Sequence, residues 1–397
     1  MTGLRTGLFA LIALAGVILA AGTTRAQTPE LRGTGDLGIV IERASGSLLV
    51  IDTSQRRTIA RVEGLGDLSH ASAVFSPDAR FAYVFGRDGG LTKVDLLTAS
   101  IAQRIVQAGN SIGGAISDDG NLVAVANYEP GGIKVFDAKS LAEVADIPAA
   151  WHGGRSKTIG LEDAPGRRFL FSLWDAGETW IADFSGPGEP QVTKFSGIGK
   201  QPYDALITGD GRYYVAGLFG EDGLTVLDLW KTPLEPRRFM RGYGRGETQL
   251  PVYKMPHLES WAVAGDCLVL PAVGRHEVLW VDMRSFEEVG RTAVHGQPVF
   301  AVARPDGRQV WVNFAHPHND TIQVVDSPTG KIVKELKPGP AVLHMEFTPR
   351  GHEVWVSVRD SNLVQVYDAR TFEKKADIEA NSPSGIFFAA RAHKMGL

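Results

Sequence analysis

The sequence predicts an all-β protein: an eight-bladed β-propeller with four antiparallel strands per blade. The first observation behind this is a spacing. Eight short apolar runs end in aspartate, at Asp52, Asp95, Asp137, Asp183, Asp228, Asp282, Asp326 and Asp368, with gaps of 43, 42, 46, 45, 54, 44 and 42 residues. A period of roughly 40–50 residues holding several strands marks a propeller, because no single unit can bury its own apolar face. The second observation is a recurring turn: Ser76-Pro77-Asp78-Ala79-Arg80, Ser117-Asp118-Asp119-Gly120, Ala164-Pro165-Gly166-Arg167, Thr208-Gly209-Asp210-Gly211, Arg304-Pro305-Asp306-Gly307 and Thr348-Pro349-Arg350-Gly351. Pro fixes φ and Gly tolerates positive φ, as a tight turn requires. A ring of eight blades encloses a channel able to hold a large flat ligand.

The chain opens with Arg5, an apolar stretch from Leu8 to Ala21, and the small-residue site Thr24-Arg25-Ala26 before Gln27. Residues 1–26 are therefore expected to be a cleaved signal peptide and residues 27–397 the propeller, in the periplasm. The apolar stretch, about 14 residues, is shorter than the ~20 that span a bilayer, so no membrane span is expected. Cys267 is the only cysteine, which excludes an internal disulfide, and it lies too far from the leader for lipidation. No twin arginine is present, so export as an unfolded chain is expected. Without Arg5 and Arg25, the 41 basic residues fall to 39 against 45 acidic, and the formal charge moves from −4 to −6. A mildly acidic surface gives no support to nucleic-acid binding.

One unit sets the pattern for the rest. Ala73-Val74-Phe75 is a first strand, Phe81 to Phe85 alternates as a second, Leu91 to Asp95 is the third and Ala102 to Val106 the fourth. Lys231 to Glu259 is expected to be an irregular insert, which stretches the fifth gap. Antiparallel order places the Pro-Asp-Gly turns on one face of the ring. The second-to-third loops and the links between blades fall on the other, where binding groups usually reside.

Eight of the ten histidines are expected on or near that loop-rich face: His70, His152, His257, His276, His295, His316, His318 and His344. Arg43, Arg155, Lys157, Lys254 and Arg275 gather there with the aromatics Trp151, Tyr203, Tyr253 and Trp261. Guanidinium pairs with carboxylate, imidazole ligates iron and aromatic faces cover a macrocycle, so the set suits a planar polycarboxylate. Asp163, Asp204 and Glu259 are candidate acids or bases. Sharper motifs fail on context. Gly33-Thr34-Gly35-Asp36-Leu37-Gly38 matches a dinucleotide fingerprint but runs into a strand where a helix is needed, so NAD is not expected. His316-Pro317-His318 lacks the spacing of a zinc site. The chain has no Gly-x-Ser-x-Gly elbow, and the absence of Cys-x-x-Cys-His excludes a covalent c-type haem.

Several segments resemble the haem d1 domain of cytochrome cd1 nitrite reductases, and more closely the haem d1 biosynthesis branch of that family. They are Gly35 to Arg43, Leu68-Ser69-His70, Phe85 to Gly89, Trp151 to Lys157 and Ser382 to Gly385. The resemblance covers the chain from about Leu31 onward. It implies haem d1 or its iron-containing precursor as the ligand, with His70 on the iron and Arg43 near the macrocycle's carboxylates. Arg155, Lys157, Tyr203 and Trp261 would complete the binding set, and His152 and His257 would serve as catalytic proton carriers. His152 and Arg155 belong to a stretch that looks particular to the biosynthetic branch. The cytochrome c domain of the reductases has no counterpart, so steady nitrite reduction is not expected. The basic neighbour that follows the iron-ligating histidine in the reductases is replaced here by Ala73. The implied role is a late step of haem d1 biosynthesis, a redox or elimination step on the tetrapyrrole. The alternative is a non-catalytic carrier that delivers the cofactor to the reductase. Implied partners are the tetrapyrrole, cytochrome cd1 nitrite reductase and other haem d1 assembly proteins.

Overall fold

Each unit folds as a four-stranded antiparallel sheet, and eight such sheets build the propeller. The computed structural model describes residues 33–242, 261–272 and 275–394. In the unit used to set the pattern, the strands are Ser72–Phe75, Phe81–Phe85, Gly90–Asp95 and Ser100–Val106. Every one of the eight spaced aspartates is the last residue of a third strand. Its carboxylate captures the amides of the turn that follows. Asp52 accepts from the N–H groups of Ser54 and Gln55, Asp137 from Lys139 and Ser140, and Asp368 from Arg370 and Thr371. Seven of the eight form an Asx-type turn in this way, which is why aspartate recurs there, and Asp326 instead accepts the Thr329 hydroxyl. Ser76, Ser117 and Thr208 play the matching part in the turn between first and second strands. Each donates its hydroxyl to an aspartate two residues on, Asp78, Asp119 or Asp210.

The ring closes in a way the spacing does not announce. The C-terminal strand Pro383–Phe388 pairs antiparallel with Leu37–Glu42, aligning Ile39 with Phe387 and Val40 with Ile386. It supplies the innermost strand of blade 1, whose others are Leu37–Glu42, Ser47–Asp52 and Arg57–Val62. Blades 2 to 8 follow in chain order, each with its first strand innermost. First strands of neighbouring blades touch around the axis. The apolar clusters lie between sheets: one joins Ile39 and Val50 of blade 1 to Val84 and Val94 of blade 2, another joins Trp355 of blade 8 to Ile386 of blade 1. Outermost strands such as Lys331–Leu336 and Lys374–Glu379 are mostly exposed and carry charges, which blunts their free edges.

Two local expectations need correction. The stretch from Lys231 is not wholly irregular, because Pro236–Phe239 is the fourth strand of blade 5. Its prolines and adjacent arginines hide the alternation. The link from Trp151 to Lys157 is a small hairpin, Ala150–Trp151 paired with Gly154–Arg155, turned by His152 and Gly153 at positive φ of 43° and 81°. Among the described residues the helices are three short 3-10 turns, and none is long and apolar enough to cross a membrane.

Candidate functional site at the mouth of the channel

Both faces sort as strand order requires. On one, second-to-third loops bond to the link entering the same blade: the N–H of Arg87 donates to Asp67 O, Trp174 to Lys157, Phe219 to Gln201, Ala315 to Gln297 and Arg359 to Ala341. These bonds pin the loop-rich face to the innermost strands. There the innermost strands break register. Between Ile159 and Glu162 in blade 4, Pro202 and Ala205 in blade 5, Pro298 and Ala301 in blade 7, and Val342 and Met345 in blade 8, two residues of the inner strand oppose one of its neighbour. A β-bulge of this kind re-aims side chains and bends the strand. The freed backbone groups find side-chain partners: the N–H of Phe300 donates to Asn313 Oδ1 at 2.9 Å, and that of His344 to Ser357 Oγ at 2.8 Å.

Bulged residues of blades 4, 7 and 8 (Gly160, Leu161, Phe300, Leu343 and His344) form part of the wall of one cavity, with about 1120 Å³ of empty space. Its apolar lining includes Val74, Ile112, Leu161, Phe300, Leu343 and Phe387. Its polar groups are Arg43, His70, Glu162, Asp163 and His344. Gly160 is required at its position: φ is +57°, and a Cβ would lie 2.8 Å from the carbonyl oxygen of Tyr203.

Arg43 follows the second strand of blade 1 and is half-buried. It makes no hydrogen bond or ion pair among the described residues. Burial, and secondly the like charge of Arg359, push its pKa down, against a weaker pull from Asp67. A cation held this way favours an incoming anion. His70 precedes the inner strand of blade 2, on a loop anchored by buried Leu65 and Leu68. Asp67 Oδ1 accepts the N–H of Ser69 at 2.8 Å and fixes the approach to His70. Glu162 and Asp163, on the inner strand of blade 4, line the same cavity.

The remaining candidates fall elsewhere. His152 is exposed at its hairpin tip, with its ring 4.1 Å from that of Trp151. Arg155 is held by Asp146 through two bonds of 2.8 and 3.0 Å, and Lys157 is exposed. Tyr203 is buried in an aromatic cluster with Trp174 and Phe219, and its hydroxyl accepts from Tyr128 at 3.1 Å. Burial pushes the Tyr203 phenol far up, so it stays protonated. Trp261 lines a separate pocket toward the Pro-Asp-Gly face, with Arg304, Glu346, Phe347, Arg391 and Lys394. His257, Tyr253, Lys254 and Glu259 lie outside the described residues. The histidines thus do not form one cluster: His70 and His344 share the cavity, whereas His295 and His318 stack together at 4.5 Å elsewhere. Glu162, Phe300 and Phe387 escaped the sequence reading because nothing in an isolated strand marks a bulge.

Residues 32–392, the whole of the ring just described, match the cytochrome D1 heme domain. The chain belongs to the cytochrome D1 heme domain family. Within it the chain falls among the proteins called NirF. It is 59% identical over 392 residues to Protein NirF of Stutzerimonas stutzeri, covering 98% of this chain and 99% of that one. It is 58% identical over 387 residues to Protein NirF of Pseudomonas aeruginosa, covering 97% and 99%. A solved structure of dihydro-heme d1 dehydrogenase NirN in complex with DHE superposes with a TM-score of 0.79 at 25% identity, covering 93% of this chain and 78% of that one.

Proposed function

We propose that this d1-family propeller binds haem d1 or an iron-containing precursor in the upper cavity and acts in a late step of haem d1 biosynthesis in the periplasm. The observation that carries the reading is the pairing of an uncommitted, half-buried Arg43 with His70 on adjacent blades of an apolar cavity. The donor set fits the ligand. An imidazole suits the iron, a guanidinium suits a peripheral carboxylate, and aliphatic and phenyl walls suit the macrocycle's faces. When bound, the tetrapyrrole supplies the conjugated system on which a redox or elimination step occurs. In this reading His70 holds the iron and Arg43 anchors a carboxylate. His152 and His257 move protons, imidazole being the side chain that titrates near neutral pH. For His152 this requires its hairpin to fold over the cavity mouth, which would bring Arg155 and Lys157 with it. Tyr203 acts from behind the wall through its packing, and Trp261 from the far end of the channel. The names of the relatives support a role in the haem d1 and nitrite reductase system. That the solved neighbour is a dihydro-heme d1 dehydrogenase supports a redox step over simple carriage.

Absorbance titration with haem d1 tests the binding: a Soret shift is expected, and His70→Ala should change the bound spectrum. An identical spectrum in the variant would remove His70 from the iron. Incubating the protein with the precursor and following its mass separates catalyst from carrier. Tight binding with no change of mass over many hours would leave the carrier reading.

A further inference from the structure

Arg391 lies outside the upper cavity. It sits in the 3-10 turn Ala389–His393 that follows the closing strand Pro383–Phe388, and it lines the pocket below. Its side chain is 6% exposed and grips Glu346, on the inner strand of blade 8, through bonds of 2.9 and 2.7 Å. Its guanidinium carbon also lies 5.1 Å from the centre of the Phe387 ring. Phe387 lines the upper cavity, and two further neighbours surround its ring. The ring of His344, two residues before Glu346, is tilted against it at 45° with centroids 5.4 Å apart. Gly385 leaves the space the ring fills, since a Cβ there would come within 2.4 Å of a Phe387 ring carbon. The backbone N–H of Ile386 donates to His344 Nδ1 at 3.2 Å and ties the same two strands.

Stability alone does not account for a buried ion pair at this seam, because well-packed apolar side chains of similar volume often hold two strands as well or better. What the pair adds is direction. A carboxylate fixes the guanidinium through two parallel bonds, and the guanidinium favours one orientation of the aromatic face beside it. We propose that Arg391 is a positioning residue for the tetrapyrrole site, holding the Phe387 ring from below the cavity in the orientation that meets the macrocycle. This assignment rests on the functional reading above. Arg391 itself touches no part of the ligand, and its contribution is to spare binding the cost of ordering that ring.

Removing both charges without opening the seam separates orientation from stability. The double variant Arg391→Met/Glu346→Leu should keep most of the wild-type Tm and still bind haem d1 roughly 2- to 30-fold more weakly, the range for a cation–π contact from exposed to desolvated sites. Arg391→Lys keeps a cation beside both Glu346 and Phe387 and should bind within about 2-fold of wild type. All affinities are measured well below the lowest Tm, so that a loss of folding is not read as a loss of binding. Fluorine-19 NMR of protein labelled with 4-fluorophenylalanine reads the ring without ligand. The signal lost in Phe387→Leu should be single and sharp in wild type and in Arg391→Lys, and broadened or split in the double variant. Wild-type affinity in the double variant would overturn the proposal and leave the pair a purely structural link. A single sharp Phe387 signal there would overturn it too, as would Arg391→Lys binding as weakly as the double variant. If wild-type protein fails to bind haem d1 at all, the functional reading falls and takes this one with it, a result distinct from binding unaltered by the double variant.

Discussion

Replacing Arg43 by leucine should separate binding from stability. The guanidinium has no partner among the described residues, and burial with Arg359 nearby already disfavours its charge. The fold thus gains nothing from that charge, and Arg43→Leu should leave Tm unchanged or raised. The ligand is where the charge matters. Losing charge-assisted hydrogen bonds, about 1.5–3 kcal/mol, should weaken haem d1 binding roughly 12- to 160-fold. The loss should shrink at higher salt, because part of it is screened. Absorbance titrations at low and high ionic strength, with thermal unfolding of the same samples, measure both quantities. Arg61 supplies the contrast. It holds Glu42, which is wholly buried, through two bonds of 2.7 and 2.8 Å, while its own guanidinium is about half exposed. Arg61→Leu should lose stability, about 1 kcal/mol after allowing for solvent screening. If Arg43→Leu binds haem d1 within about 2-fold of wild type, or loses Tm as Arg61→Leu does, the account of Arg43 as an anion anchor is wrong.

The other outcomes concern the scaffold that shapes the cavity. Gly160→Ala forces a side chain onto left-handed backbone at a bulge, which should cost about 1–2 kcal/mol in urea unfolding before any clash is counted; an unchanged midpoint would mean the bulge is not needed. Arg391 and Glu346 form a buried pair, 6% and 8% exposed with contacts of 2.9 and 2.7 Å, that ties the final 3-10 turn to blade 8. Arg391→Met alone should destabilise by ~3–5 kcal/mol, and adding Glu346→Leu should recover much of it; equal Tm values in single and double variants would contradict this. The turn carboxylates make the ring acid-sensitive. Asp137 is lowered chiefly by the Ser140 hydroxyl, Asp228 by Arg212 and Asp368 by the Thr371 amide. A depressed carboxylate stabilises the fold above its unfolded pKa, near 3.9, and that contribution drains away as pH falls through the folded value. Unfolding followed by circular dichroism should steepen below about pH 4. Asp368→Asn, which keeps an acceptor without a titration, should flatten the curve, and a slope equal to wild type would count against the linkage.

The ring was legible in the sequence because its repeat is chemical. Aspartate at the end of a third strand captures one or two turn amides in seven of the eight blades, and it recurs wherever that turn recurs. Closure was not legible, since Pro383–Phe388 carries no mark that it will pair with Leu37–Glu42 rather than start a further blade. Of the site, Arg43 and His70 could be named through family resemblance. Arg155 could be named too, but not its bidentate engagement by Asp146, which turns on an approach between hairpin and blade that no local pattern encodes.

The bulges explain why the cavity walls escaped notice and why the cavity exists. A regular inner strand would alternate its side chains evenly between the two sides of its sheet and leave little room at the axis. Holding two residues against one in blades 4, 5, 7 and 8 bends the strands at the same level of the ring. The same displacement brings Leu161, Phe300, Leu343 and His344 to the cavity wall. Amides released there would be costly if buried without acceptors, and Asn313 and Ser357 on the second strands provide acceptors in blades 7 and 8. The polar residue opposite a bulge is therefore as much a condition of the site as the groups that face the ligand, and Asn313→Leu should damage binding through the wall it no longer supports.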